Sequence, residues 1–199
     1  MTSATSYYPI FLNLKGKKCV VAGGGKVAER KALSLLRSGA KITVISPECT
    51  ERLKKENLRG HIQYVPRRYK KGDLKNAFLA IAATDSGETN RKISEDAPYL
   101  VNIVDKPLLS NFIVPSVVRR GPLTITVSTS GISPSLARII RKELEGLYGR
   151  EFEKHLNYIK KMRVRALSGI KNNKERIKFL RGLSLNAWKK LRSPQNAFK

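Results

Sequence analysis

The 199-residue sequence predicts an α/β fold: a doubly wound parallel sheet, then a small β-hairpin with a long helix, then a basic helical C-terminal region. Three observations carry that prediction. From residue 17 to about residue 105, short apolar runs alternate with segments of helical period, the pattern of parallel strands joined by crossover helices. The first apolar run, Cys19-Val20-Val21-Ala22, breaks into Gly23-Gly24-Gly25 and restarts as a helix. After Asp105 the alternation stops, and two β-rich segments precede long stretches rich in Lys and Arg.

Taken in order, residues 18–22 form the first strand, 27–38 the first helix and 41–46 the second strand, which Pro47 ends. Residues 62–65 are a short third strand followed by a basic, Gly-containing loop over 67–72, and 73–77 read as a helical turn. The run 78–83 is nearly all apolar, as suits a strand covered on both faces. A polar helix over 88–96 and a fifth strand over 100–104 complete the alternation. Segments 112–118 and 123–128, joined by Arg119-Arg120-Gly121-Pro122, read as a hairpin outside the parallel sheet. Ser133 as N-cap, Pro134 at the first helical position and Gly149 as C-cap bound the next helix. Leu136, Ile139, Ile140, Leu144 and Leu147 give that helix one apolar face, fit to pack on the hairpin or on another subunit. Residues 151–191 are helical and basic, with breaks expected at 169–173 and near Gly182, and a frayed end after Pro194. Three domains are expected: 1–112, 113–148 and 149–199.

Charge is the compositional outlier, with 40 Lys+Arg against 15 Asp+Glu and a net charge of +25. Nucleic acid, an anionic membrane surface or a small substrate bearing many carboxylates would each be attracted, although a solvated helix surface accounts for part of the excess. No apolar stretch is long enough to cross a bilayer and residues 1–8 are polar, so a cytoplasmic location is expected. Cys19 and Cys49 make no disulfide framework, and with only His61 and His155 they provide no metal-ligand spacing, so no metal site is expected.

Gly23-x-Gly25-x-x-Ala28 fits the dinucleotide-binding pattern of a Rossmann-like sheet: a tight turn, close backbone approach to a pyrophosphate, and a small residue for helix–strand packing. Gly23, Gly24, Gly25, Lys26 and Val27 are therefore read as the cofactor-binding turn. In such sheets the site lies at the carboxyl ends of the strands, which here present Ser46-Pro47-Glu48, Thr84-Asp85 and Asp105. Thr84, Asp85 and Asn102 are expected to line the cofactor cleft. The acid that grips a ribose 2′-hydroxyl should end the second strand, yet Ser46 and Pro47 stand there with Glu48 one residue on. Either Ser46 or Glu48 can make that bond, and NAD is preferred to NADP without being fixed.

Several motifs in sequence order carry a family resemblance. They are Tyr8-Pro9-Ile10-Phe11-Leu12-Asn13-Leu14, Gly23-Gly24-Gly25-Lys26-Val27-Ala28, Ala82-Ala83-Thr84-Asp85 with Asn90, Val101-Asn102-Ile103-Val104-Asp105, Asn111-Phe112-Ile113-Val114-Pro115, and Ser128-Thr129-Ser130-Gly131-Ile132-Ser133-Pro134-Ser135-Leu136-Ala137-Arg138. Together they resemble the dehydrogenase domain of siroheme synthases, precorrin-2 dehydrogenase and sirohydrochlorin ferrochelatase. The basic C-terminal helices are similar only in kind. The resemblance implies NAD-dependent oxidation of precorrin-2 to sirohydrochlorin, with one hydrogen leaving as hydride and one as a proton. It makes Asp105 the catalytic base, although an Asp before Lys106-Pro107 is also ordinary turn chemistry. Asn111, Arg119, Arg120, Ser128, Thr129, Ser130, Gly131 and Arg138 become substrate contacts, guanidiniums and hydroxyls suited to the eight carboxylates of the macrocycle. Iron chelation, the second activity of such proteins, is left open.

Two other readings stand beside the enzyme: an NAD-sensing regulator that grips nucleic acid with its basic helices, and a silent assembly partner that keeps only the fold. The apolar face over 136–147 and the adjacent hairpin predict a homodimer.

Overall fold

The computed structural model describes residues 6–191. The chain divides between Val114 and Pro115 into two compact units. The first holds β1 (Lys18–Ala22), α1 (Lys26–Arg37), β2 (Lys41–Ile45), α2 (Glu51–Leu58), β3 (Ile62–Val65), β4 (Leu79–Ala82), α3 (Gly87–Asp96) and β5 (Leu100–Ile103), with a 3₁₀ turn over Pro107–Leu109. All five strands are parallel, in the order β3-β2-β1-β4-β5. The chain winds outward from β1 to β3, then returns to the other side of β1 with β4, so the order reverses between the central strands.

Alternation along β1 feeds two cores. Cys19 and Val21 face a cluster with Ala28, Ala32 and Leu35, the i, i+4, i+7 stripe of α1, whereas Val20 and Ala22 face Leu74, Ile93 and Ile103. All four residues of β4 are buried, as its continuous apolar run requires. Each large side chain fully withdrawn from water in these clusters contributes about 1.5–3 kcal/mol. The strand ends on which a site would be built are thus fixed from both faces.

The second unit contains β6 (Ser116–Arg120) paired antiparallel with β7 (Leu123–Val127), α4 (Pro134–Leu147), α5 (Glu151–Gly169) and α6 (Asn173–Leu191). Ser133 caps α4 by accepting from the amide of Leu136 at 3.2 Å. Among the described residues of this unit, Val118, Ala137, Phe152 and Ala166 are the buried apolar ones, and α6 has none. Leu136, Ile139 and Leu147 of the expected apolar face of α4 are exposed.

The α/β architecture read from sequence is the one observed, with local corrections. α2 had no counterpart in the sequence reading. Residues 73–76 form successive turns and not a helix, with isolated bonds from the Lys75 amide to Gly72 and from the Ala77 amide to Leu74, and Asn76 at φ +62° breaks any helical continuation. Arg119 and Arg120 are strand residues paired with Thr124 and Leu123, so Gly121 and Pro122 alone make the hairpin turn, with Gly121 at φ +55°. Phe112 precedes the hairpin and is not in it. α6 continues through Gly182, since a single glycine weakens a helix without ending it. The expected frayed end after Pro194 lies outside the described residues. Among those residues no helix is long and apolar enough to cross a membrane.

Candidate functional site

The glycine turn after β1 is wedged between two neighbouring chain segments. Gly23 has φ +114°, donates its amide to the carbonyl of Ile45 at 2.9 Å, and a Cβ on it would strike the carbonyl oxygen of Ala83. A Cβ on Gly24 would strike the carbonyl oxygen of Glu48, and the carbonyl of Gly24 accepts the amide of Thr50 at 3.0 Å. Gly25 differs: it N-caps α1 without a side chain, and a Cβ there would meet open space. Behind it Ala28 is fully buried. The leading amides of α1, which have no partner within the helix, therefore open onto free volume at the positive end of the helix dipole. That is a place built for an anion such as a pyrophosphate.

The free volume is a cleft of about 680 Å³. Gly23, Gly24, Gly25, Ser46, Pro47, Glu48, Thr84 and Asp85 line it, as do Cys49, Thr50, Arg68, Tyr69, Ser86 and Thr89. The 84–90 segment is held rigid: Thr84 Oγ1 donates to Asn90 Oδ1 at 2.7 Å, and Asn90 Nδ2 returns to the Thr84 carbonyl at 2.9 Å. Ser86 caps α3 by accepting from Thr89. Three residues of the expected cofactor set lie outside this lining. Lys26 and Val27 are exposed on the first turn of α1, and the amide of Asn102 donates to the Phe112 carbonyl at 3.0 Å.

Sequence reasoning missed the wall formed after β3. Because β3 lies parallel to β2, its following loop arrives at the same edge of the sheet as Ser46-Pro47-Glu48. Arg67 donates to both carboxylate oxygens of Asp73, at 2.7 and 2.8 Å, and holds that carboxyl below the usual carboxylate range. Tyr69 donates to Asp96 at 2.8 Å, and burial reinforced by that bond pushes its phenol pKa up. Tyr64 donates to the carbonyls of Ser46 and Pro47, each at 3.0 Å, and its phenol is likewise raised, chiefly by burial and then by Cys49. The signal for this wall was the parallel pairing of the second and third strands, not any residue pattern.

Asp105 follows β5 with φ +59°, a left-handed backbone that Asp tolerates better than most residues. The turn around it is stapled by Ser110, whose hydroxyl accepts from the Ile103 amide at 2.9 Å and donates to the Lys106 carbonyl at 3.1 Å. The 3₁₀ turn that follows starts from Lys106 with no side-chain cap, so the carboxylate of Asp105 is not used as one. It faces a second cavity of about 670 Å³ shared with Glu88, Arg91 and Lys106. Lys31 on α1 feels it too: desolvation and Arg30 lower the Lys31 pKa while Asp105 opposes them.

The expected substrate contacts fall in two sets. Asn111 belongs to the first unit and spends both ends of its amide on backbone, accepting from Val101 at 2.8 Å and donating to Tyr99 at 2.6 Å. The rest are in the second unit. Arg120 donates to the carbonyls of Tyr148 and Glu145 at the end of α4, at 2.7 and 3.0 Å, where a cation complements the helix dipole. Arg119 and Arg138 are exposed. Over 128–131 the loop turns through Ser130 (φ +52°) and Gly131 (φ +85°). Within it Ser128 accepts from the Ser130 amide and Thr129 from that of Ser133. Among the described residues, no three His, Cys, Asp or Glu side chains converge as a metal site would require. Burial pushes the Cys19 thiol up to about 11, far from a reactive thiolate.

Residues 10–116 match the family described as "Putative NAD(P)-binding", and residues 120–147 match "Sirohaem biosynthesis protein central". The chain belongs to this siroheme synthase domain family. A "Siroheme synthase" from Nitrosospira multiformis is 44% identical over 156 residues, covering 73% of this chain and 33% of that protein. A "Siroheme synthase 2" from Cronobacter sakazakii is 36% identical over 176 residues, 87% of this chain and 38% of that one. The chain thus spans about a third of the length of the curated relatives it matches. The solved structure of "SirC, precorrin-2 dehydrogenase" superposes with a TM-score of 0.79 at 23% identity, covering 97% of this chain and 93% of that one. The match over residues 10–116 takes in every residue that lines the cleft just described.

Proposed function

We propose that this chain oxidises precorrin-2 to sirohydrochlorin with NAD, a step toward siroheme. One observation carries the reading: a glycine turn packed to its neighbours at Gly23 and Gly24 but open at Gly25, where the protein leaves room for a side chain, faces a cleft at the same sheet edge as Asp105, a carboxylate left without a hydrogen-bond partner among the described residues. The cradle fits the cofactor, since Gly23 and Gly24 are packed to the backbone while Gly25 is open. Gly23–Gly25, Ser46 to Glu48 and Thr84-Asp85 would hold the dinucleotide, with Lys26, Val27 and Asn102 in supporting places. When bound, the nicotinamide supplies the hydride acceptor.

The chain's own residues do the rest. The amides opening α1 hold the pyrophosphate. Asp105 takes the proton that leaves the macrocycle, and its stapled turn keeps the carboxylate in place without a competing hydrogen bond. Arg91 and Lys106 flank it in the second cavity, where they draw in substrate carboxylates. On the second unit, Arg119, Arg138 and the loop Ser128, Thr129, Ser130 and Gly131 offer further donors for carboxylates, whereas Asn111 and Arg120 serve by fixing backbone. In this reading residues 1–112 bind cofactor, 113–148 contact substrate and pair two copies, and 149–199 form a basic helical domain of a cytoplasmic homodimer. Iron insertion, if the same protein performs it, would use Asp105 to accept pyrrole protons, with iron as a substrate.

The test is anaerobic incubation of the purified protein with precorrin-2 and NAD, following NADH and sirohydrochlorin together by absorbance. Coupled appearance of both is expected. Binding of NAD with neither product formed would overturn the enzyme reading and favour the regulator. A homodimer is expected by light scattering, and a monomeric mass would remove that part.

A further inference from the structure

We infer that the cofactor cleft carries a subsite for a 2′-phosphate, formed by Ser46 and Arg68, so that this protein takes NADP as well as NAD. The inference rests on the dinucleotide reading above and specifies its ribose end. In sheets of this kind an acid at the end of the second strand accepts the ribose 2′-hydroxyl and repels a 2′-phosphate, while a nearby arginine accommodates the phosphate. Here the position directly after β2 is Ser46, a neutral donor. Its backbone is fully committed, the amide donating to Val65 at 3.2 Å and the carbonyl accepting from Tyr64 at 3.0 Å, but its hydroxyl has no protein partner among the described residues.

Arg68 reaches the same cleft from the loop after β3 and is exposed, with no hydrogen bond or ion pair on its guanidinium among the described residues. Its two neighbours are both tied down. Arg67 is clamped on Asp73 and Tyr69 is bonded to Asp96. A loop anchored on both sides of one unpaired arginine loses little entropy when that arginine binds, and a guanidinium suits the tetrahedral oxygens of a phosphate. Glu48, the acid at this edge, has its backbone carbonyl fixed against Gly24 and its side chain exposed to solvent. In water its carboxylate is screened and can turn away, so it gives a weaker veto than an acid at position 46 would.

The test is direct binding, independent of turnover. Calorimetric titration of the full chain with NAD and NADP should give dissociation constants within about tenfold of each other, a spread worth one strong polar contact. Arg68→Ala should lower the ratio of NADP to NAD affinity by roughly tenfold or more, the loss of one charge-assisted contact. Ser46→Asp should lower the same ratio at least as far. 2′,5′-ADP should bind the wild type more tightly than 5′-AMP, with an advantage that shrinks as salt is raised. NAD bound with NADP more than tenfold weaker would overturn the subsite while leaving the dinucleotide reading intact, as would an Arg68→Ala ratio equal to wild type. Failure of both nucleotides to bind would overturn the dinucleotide reading and the subsite together.

Discussion

The two units solve the problem of burying apolar surface in different ways. In the first, every strand of a five-stranded sheet contributes to one of two clusters covered by helices, and the interior is nearly all Val, Ile, Leu and Ala. In the second, a two-stranded hairpin and three helices bury only a handful of side chains, and α6, 19 residues long, buries none. Its Ile177, Phe179, Leu185 and Trp188 are exposed among Lys and Arg. The contrast teaches that positional precision lives in the first unit: the glycine turn, the stapled Asp105 turn and the anchored 67–73 loop all rest on strand ends that cannot shift without disturbing a packed core. The second unit has few buried anchors of that kind, and its long helices carry their Lys and Arg on solvent-exposed faces.

The largest effect is expected from Asp105→Asn, at the best-fixed turn of the first unit. The substitution keeps the left-handed backbone affordable to the residue, so thermal denaturation should be unchanged while turnover of precorrin-2 falls by about 10²- to 10⁴-fold, the usual yield of a positioned base. A parallel loss of melting temperature would mean that the residue is structural. Next in size are truncations in the cores. Ile93→Ala or Leu53→Ala, both at fully buried positions, should cost about 2–5 kcal/mol in urea unfolding, whereas Leu185→Ala in α6 should stay within about 0.5 kcal/mol.

Glycine substitutions should then give opposite signs in the two units. Gly24→Ala forces a methyl into the Glu48 backbone and should destabilise by about 1–3 kcal/mol while abolishing dinucleotide binding. Gly182→Ala meets open space within a helix and should stabilise by about 0.5–1 kcal/mol. Destabilisation by Gly182→Ala would show that α6 needs flexibility there. The smallest effect is expected from the Arg67–Asp73 pair. Because Arg67 depresses the folded-state pKa of Asp73, the pair's contribution is present above the ordinary carboxylate range and disappears as the pH falls through the lowered value. Asp73→Asn should therefore cost about 1 kcal/mol or less at pH 7 and nothing in strong acid, as read from denaturation midpoints across that range.

Much of the first unit was legible because its signals are local. β1 and β3 fall on the residues that alternation and apolar runs indicate; in the second unit only the cap at Ser133 declares itself as locally, through Pro134. α2 escaped because only Leu53 and Glu56 of its eight residues are buried, so hydrophobic periodicity is almost absent; its one local signal was Thr50, which caps it. The glycine turn was readable from composition, whereas Arg68 and Tyr69 join the cleft only through the pairing of β2 with β3, a non-local fact. Arg120 misled in the other direction: a guanidinium in sequence looks available, but here it is spent on the end of α4.

The bond from the Thr50 amide to the Gly24 carbonyl, and the fit of Gly24 against the Glu48 carbonyl, involve main-chain atoms only. No substitution at residues 46–49 removes either contact, so the side chains of that segment can change while the floor beneath them stays in place. A lineage carrying this turn can alter which nucleotide it prefers through one or two replacements, without rebuilding the pocket and without crossing an unfolded intermediate. Nucleotide preference at this edge is then a matter of exchangeable side chains, while the main chain that floors the cleft is held by contacts those exchanges do not touch.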